Sequence, residues 1–453
     1  METLWQTNNN NREGIVMVLA LMFMVIFASL SVAMLSMSSA NAQIANNHQQ
    51  GNGALVNTHS GVEVVKYFLN DMTVPASIET GIQNQLAVKN LTNMTATVTG
   101  SVITLASVPL DSTASENFSA QITMFSDYWQ ADVTGRNGVI KRKVRSNFNI
   151  AVRADSVFDY GVATKGPLLM TGQGELGAVN LAVESDVFID TSIIGNAFEI
   201  GNHGTVAGNV HIVNPLATYE VGNNSEIGGE TGEDAEGNII LDVDPVEFPV
   251  PDTDYFRQFA TGDVIDANNL NDYLNDNETL DNVTIAANTN PTFSGDVTIR
   301  GVLYIEQPNK VKFAGKAVVQ GIIVGDSIVG DESIDNNINF SGQVDCLDSG
   351  DLIGAEFDGI REETGTFLIA PGFSADFSGQ SNIINGVIAI AGIRFTGQAG
   401  GTINGSIVNY SSDPMVLQGQ GSLMFNRSGT DENPAGFEPV LMLDYDPSSY
   451  SEI

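Results

Sequence analysis

The sequence predicts a mainly β protein in three parts: a long N-terminal transmembrane α-helix, a small antiparallel β connector, and a parallel β-solenoid (β-helix). Three observations predict it. Residues 15–35 form an uncharged apolar run. Stretches between residues 95 and 152 are rich in β-branched residues or alternate with period two. Beyond residue 154 a phenylalanine–small–glycine signature recurs, starting at Phe293, Phe313, Phe340, Phe377 and Phe395. The expected boundaries are a leader at 1–14, the helix at 15–71, the connector at 72–153, the solenoid at 154–430 with an excursion at about 232–290, and a C-terminal tail at 431–453.

The apolar run of 21 residues would span ~31 Å as a helix, which matches a bilayer core. No Asp, Glu, Lys or Arg occurs from Gly14 to Val62. A cleaved secretory signal is the competing reading, with Ala40-Asn41-Ala42 as its peptidase site; such a signal wants a shorter core and a cationic start. Arg12 places the N-terminus on the cytoplasmic side and the rest of the chain outside. Apolar positions continue to Phe68-Leu69 in polar surroundings, so the helix runs on as an amphipathic one. Gly51 and Gly53 weaken its middle.

Arg12-Glu13-Gly14 followed at once by the apolar stretch from Ile15 resembles the N-terminus of type IV pilins and pseudopilins, and most closely the PilX-type segment of minor pilins. The resemblance implies cleavage by a prepilin peptidase between Gly14 and Ile15, a helix that serves as anchor and fibre core, and pilin-like subunits as partners. Two positions depart from the family pattern: Ile15 stands where Phe is usual, and Leu19 stands where major pilins carry Glu. The missing carboxylate fits a minor or tip-like subunit, or a simple anchor. The implied location is a bacterial inner membrane, crossed once, with the C-terminal domain periplasmic or extracellular and available to a fibre.

In the connector, Gly100, Pro109 and Arg136-Asn137-Gly138 supply turns, the last as a hairpin tip. Lys141, Arg142, Lys143 and Arg145 read as the solvent face of a strand rather than a nucleic-acid patch.

In the solenoid, four of the Phe-x-Gly signatures precede a Gly-led β run, such as Gly301 to Ile305 and Gly386 to Ile390. Short strands punctuated by Gly and Asn at about twenty residues per coil are the mark of a β-solenoid; inward Phe, Ile and Val would form ladders, with Gly and Asn at the corners. A β-sandwich is the rival reading. Within the excursion, residues 252–260 and 266–274 read as short capped helices. The run from Gly301 to Phe313, followed by Ala370-Pro371-Gly372-Phe373, resembles a group of bacterial pilin-like surface proteins. That resemblance implies an architecture and no activity.

The formal net charge is −36, from 18 Lys+Arg against 54 Asp+Glu. All of it lies beyond residue 153, because residues 1–153 carry nine charges of each sign. A nucleic-acid partner is excluded by that sign. The single cysteine, Cys346, excludes an intramolecular disulfide and multi-cysteine metal patterns.

Solenoids of this kind also host polysaccharide lyases and hydrolases, so a membrane-tethered enzyme with a groove along the rod is the alternative function. Adjacent acids such as Asp331-Glu332 and Glu362-Glu363 arise freely in so acidic a chain. His203, in Asn202-His203-Gly204, lacks the Arg-x-Lys partner of polygalacturonases. His48, His59, His203 and His211 make no metal spacing. Calcium is a weak expectation, resting on Asp326, Asp331, Asp335, Asn336, Asn337 and Asp345 without an EF-hand pattern. Gly228-Gly229-Glu230 only imitates the start of a calcium-binding repeat. The leading expectation is a non-enzymatic, membrane-anchored surface protein with a structural or adhesive role and an unassigned glycan or protein ligand.

Overall fold

The computed structural model describes residues 10–69, 72, 74, 96–110, 112, 115–326, 336–427 and 433–453, the side chains of 10–14 aside. The chain divides into two compact units, Met1–Val152 with Leu441–Ile453, and Arg153–Val440. The second is therefore an insertion in the first.

The first unit begins with helix α1, Asn10–Leu69, unbroken over 60 residues. In its N-terminal half the large apolar side chains from Ile15 to Leu35 are exposed all round. This helix is long and apolar enough to cross a membrane. Its C-terminal half packs on an antiparallel sheet through Val62, Val65, Phe68 and Leu69, against Phe118, Ile122, Trp129 and Val133. Strands β1 (Ala96–Thr99), β2 (Val102–Pro109), β3 (Glu116–Met124), β4 (Tyr128–Asn137) and β5 (Ile140–Arg153) follow one another across that sheet.

Glycine makes the helix–sheet approach possible. A Cβ at Gly61 would lie 2.7 Å from the Phe118 ring, and one at Gly135 would strike the Thr58 and Ala54 backbone. Thr58 Oγ1 accepts from the Gly135 N–H at 3.0 Å, and Asn57 Nδ2 donates to Arg136 O at 2.8 Å. Gly53, expected only to weaken the helix, also admits a neighbour: its face meets the Asn137 side chain. The hairpin tip falls at Gly138-Val139, Gly138 taking φ 59°, with Asn137 paired to Ile140.

The C-terminal stretch corrects an expectation. Instead of a tail, Val440–Glu452 is a strand added beside β5. Its Leu443 joins the buried cluster under α1.

The second unit is a parallel β-solenoid with three sides. The phenylalanine signature builds one of them. Phe293, Phe313, Phe340, Phe377 and Phe395 are in register on successive coils. Their rings stack at 5.3, 5.2, 4.8 and 4.9 Å between centroids. Leu417, Met170, Ile200 and Val221 continue the ladder.

The register of Leu417 with Met170 shows an order the sequence conceals. The last coil, with strands Ile407–Asn409, Met415–Gly419 and Ser422–Phe425, stacks directly on the first, with strands Val162–Thr164, Leu168–Gly172 and Glu175–Ala178. The chain thus enters mid-solenoid and winds outward to Ile239–Leu241. It then crosses to the opposite end and winds back from Val264–Ile265. On one side this gives ten successive parallel pairings, ~48 Å at the usual strand spacing.

That crossing is the excursion, and it is shorter than expected. Strands Ile239–Leu241, Val264–Ile265, Glu278–Asp281 and Thr284–Ile285 belong to the solenoid, so the excursion narrows to residues 242–262. The expected short helices are 3-10 turns, Asp254–Gln258 and Leu270–Tyr273; Asp252 Oδ1 accepts from the Tyr255 N–H and Asp266 Oδ1 from the Asn268 N–H. The strap covers an apolar outer face: Phe248 and Phe256 share a buried cluster with Tyr304, Val324, Ile369, Val408 and Phe188. Arg257 stacks on Tyr304 at 4.4 Å and pairs with Glu306 and Asp326, both at 3.3 Å. The unit's two ends lie together, Phe158 meeting Phe437 at 4.9 Å edge to face.

Candidate functional site

The expected processing point, Gly14 followed by Ile15, lies within the first turns of α1. Ile15 is 64% exposed and Leu19, at the position where a charge-neutralising Glu was missed, is 52% exposed. Residues 1–9 lie outside the described residues.

The basic run on β5 is paired. Arg145 Nε donates to Asp132 Oδ1 at 2.7 Å and Lys143 Nζ to Asp132 Oδ2 at 2.8 Å. These bonds, that from Arg145 first, hold the Asp132 carboxyl below the usual carboxylate range. Arg142 lies 3.8 Å from Glu452 on the C-terminal strand. Lys141 and Arg142 are exposed and Lys143 and Arg145 half-buried, with Val144 turned inward between them.

The histidines stand apart. His59 Nε2 is 2.5 Å from the Tyr450 hydroxyl, His203 occupies a turn at φ 64°, and His211 Nε2 is 3.6 Å from Asp186. Of the candidate calcium ligands, Asp331 and Asp335 lie outside the described residues. The others have partners of their own. Asp326 takes Arg257 and the Tyr304 hydroxyl. Asn336 Oδ1 accepts from Asn309 N–H, and Asn337 Nδ2 donates to Ser374 and Asp376. Asp345 pairs with Lys316 at 2.6 Å and accepts from Gln343 and Asn382; these contacts outweigh its burial and lower its pKa. Among the described residues no group of three His, Cys, Asp or Glu side chains is arranged to hold a metal ion. Glu363 accepts from the Tyr255 hydroxyl at 2.6 Å, which ties it to the strap.

Two of the concavities on the solenoid are formed by described residues, and neither brings two carboxylates together. A cavity of about 340 Å³ is lined by residues including Asp348, Ser349, Thr364, Thr366, Asn385 and Asn404. The larger, about 480 Å³, is lined by Gln380, Ser381, Asn382, Gln398, Gln420 and Ser422, with half-buried Gly400 and Gly401 between them.

This second groove follows from the repeat. After each inward Phe the chain turns at a glycine, and the glycines stack on one another: a Cβ at Gly315, Gly342, Gly379, Gly419 or Gly172 would strike the backbone of the glycine one coil away. The next residue is thrown outward at every coil. In five consecutive coils it is a glutamine: Gln343, Gln380, Gln398, Gln420 and Gln173. Sequence reading found the Phe-x-Gly signature and missed the Gln that follows it. The signal was present as Gly-Gln at 342, 379, 397, 419 and 172.

No family model matches the chain, and no curated protein matches it. Among solved structures it is similar to the competence-associated pilin ComZ from Thermus thermophilus. The two are 9% identical over 89% of this chain and 98% of that one, with a TM-score of 0.28. A score that low carries no inference about fold or role.

Proposed function

We propose that the chain is a membrane-anchored, pilin-like surface subunit, structural or adhesive rather than enzymatic, which displays the acidic solenoid on the far side of a bacterial inner membrane. Residues 1–14 are its leader, and a prepilin peptidase cuts between Gly14 and Ile15. The observation that carries this reading is the division of α1. Side chains 15–35 are exposed and uncharged, a condition water penalises and a bilayer or a bundle of like helices relieves. The same helix then anchors an antiparallel sheet. Leu19 in place of a carboxylate leaves a processed Ile15 amine without an acidic partner from this helix, which suits a minor subunit over a self-polymerising one. Any partners at the helix are other pilin-like subunits.

Mass spectrometry of the membrane-extracted protein tests this. The expected N-terminus is Ile15, and Gly14→Ala should leave the leader attached. An intact Met1 in the wild type, or a start near Gln43, would overturn it.

A further inference from the structure

We propose that the glutamine-lined groove binds a neutral, polyhydroxylated chain, an extended oligosaccharide, along the axis of coil stacking. Its lining on three successive coils, Gln380, Ser381, Asn382, Gln398, Gln420 and Ser422, contains no charged and no large apolar side chain. On a solenoid that carries most of the net negative charge, an uncharged strip is the exception. The surrounding field repels anions, and the strip itself offers no carboxylate to a cation.

Amides and hydroxyls supply donor and acceptor together, which is what a sugar hydroxyl, itself both, requires. They recur at the coil spacing of ~4.8 Å, an ångström scale close to the repeat of sugar rings in an extended polysaccharide. A flexible peptide could also hydrogen-bond there, but it would bring apolar side chains for which this lining has no pocket.

The groove is partly set in place before any ligand arrives. Asn382 Nδ2 donates to Asp345 Oδ1 at 2.8 Å, which leaves the Asn382 carbonyl oxygen to accept. Ser422 Oγ donates to Glu175 Oε2 at 2.7 Å, which commits its proton and leaves the oxygen as an acceptor. Gln380 and Gln398 make no side-chain hydrogen bond to another described residue, and Gln420 reaches only Gln173, at 3.4 Å. The floor is peptide backbone. A Cβ on Gly400 would strike Ser422 O, and one on Gly401 would strike Ser381 O, so the coils that form this floor are stacked too closely for a side chain between them.

The groove lies wholly in the solenoid, and the inference stands whether or not Gly14 is processed. The test uses the full chain in a detergent without a sugar headgroup, titrated calorimetrically with maltohexaose, cellohexaose, chitohexaose and hexagalacturonate. Saturable binding of at least one neutral hexasaccharide is expected, insensitive to salt because no charge is engaged. Affinity should fall about tenfold or more in the Gln398→Glu/Gln420→Glu double variant and in Gln398→Leu/Gln420→Leu, since each removes hydrogen bonds made to the ligand. These side chains are exposed, so the unfolding transition should not move. The remote Gln258→Ala serves as control, and Gly14→Ala should bind as wild type does. The inference is overturned if no neutral hexasaccharide binds at millimolar concentration. It is overturned equally if both double variants bind unchanged, or if only hexagalacturonate binds and does so with a strong salt dependence.

Discussion

Cys346 is half-buried against the solenoid core, and its thiol is pushed up to about 11, chiefly by burial and further by the neighbouring Asp345 carboxylate. Only the thiolate alkylates. At pH 8 the folded protein should therefore react with iodoacetamide more than about a hundredfold more slowly than an exposed thiol of pKa ~8.5. The rate should climb about tenfold per pH unit towards the shifted value, because the thiolate fraction does so below the pKa. Equal labelling rates in the native and urea-unfolded chain would show that the thiol is not held in the wall. The sequence marks Cys346 as a lone cysteine but cannot show its surroundings. Those are set by Asp345 beside it and by the coils at Val319 and Asn385. Gln398 and Gln420 belong to Gly-Gln pairs that are visible in the sequence, but the pairs become a row only when coils of unequal sequence length are stacked in register.

At the scale of elements, legibility followed periodicity. Helix α1 and the phenylalanine ladder repeat a residue type at fixed geometry, so both could be read directly. The strand Val440–Glu452 could not. It contains Pro447 and the acids Asp444, Asp446 and Glu452, and Leu443 is its one fully buried residue. Such a strand survives because it lies at the sheet edge, where a missing amide donor leaves no ladder bond unmade. Its contribution is testable. Leu443 is 4% exposed and packs under α1 with Phe148, while Tyr445 meets the Phe148 ring at 5.4 Å. Leu443→Ala should cost about 2–4 kcal/mol of the first unit's stability. Chemical denaturation followed by Trp129 fluorescence would read this, Trp129 lying in the same buried cluster. An unchanged midpoint would mean that the strand merely lies on the sheet. The sequence reads an excursion at about 232–290 packed on the side of the rod; the face it covers was not legible, since Phe248 and Phe256 of the strap find their partners on strands far away in sequence.

For the whole molecule, the separation of charge noted from composition acquires a finer grain. No Lys or Arg occurs between Lys165 and Arg257, the span that builds the outward-wound coils, whereas Arg300, Lys310, Lys312 and Lys316 lie on the coils wound back from the far end. The winding order itself is what a sequence-local repeat cannot reveal, because stacking residue 417 on residue 170 needs a ladder match and no continuity of chain. It carries a direct prediction. In a solenoid each coil is stabilised by its two neighbours, so terminal coils open first. If sequence order were stacking order, strands Val162–Thr164, Leu168–Gly172 and Glu175–Ala178 would form a fraying end. They lie instead between the last coil on one side and Val187–Ile189, Asn196–Ile200 and Thr205–Val206 on the other. Hydrogen–deuterium exchange read by mass spectrometry should find them among the most protected amides of the unit. The fast-exchanging strands should be Thr218–Val221 and Ile239–Leu241 at one end, and Val264–Ile265, Glu278–Asp281 and Thr292–Phe293 at the other, as each pairs on a single side. Rapid exchange at residues 162–178, with protection at 218–241, would refute the mid-solenoid entry. It would also remove the seam that joins the two halves, where Asn409 Nδ2 donates to Thr164 Oγ1 at 2.9 Å inside the core.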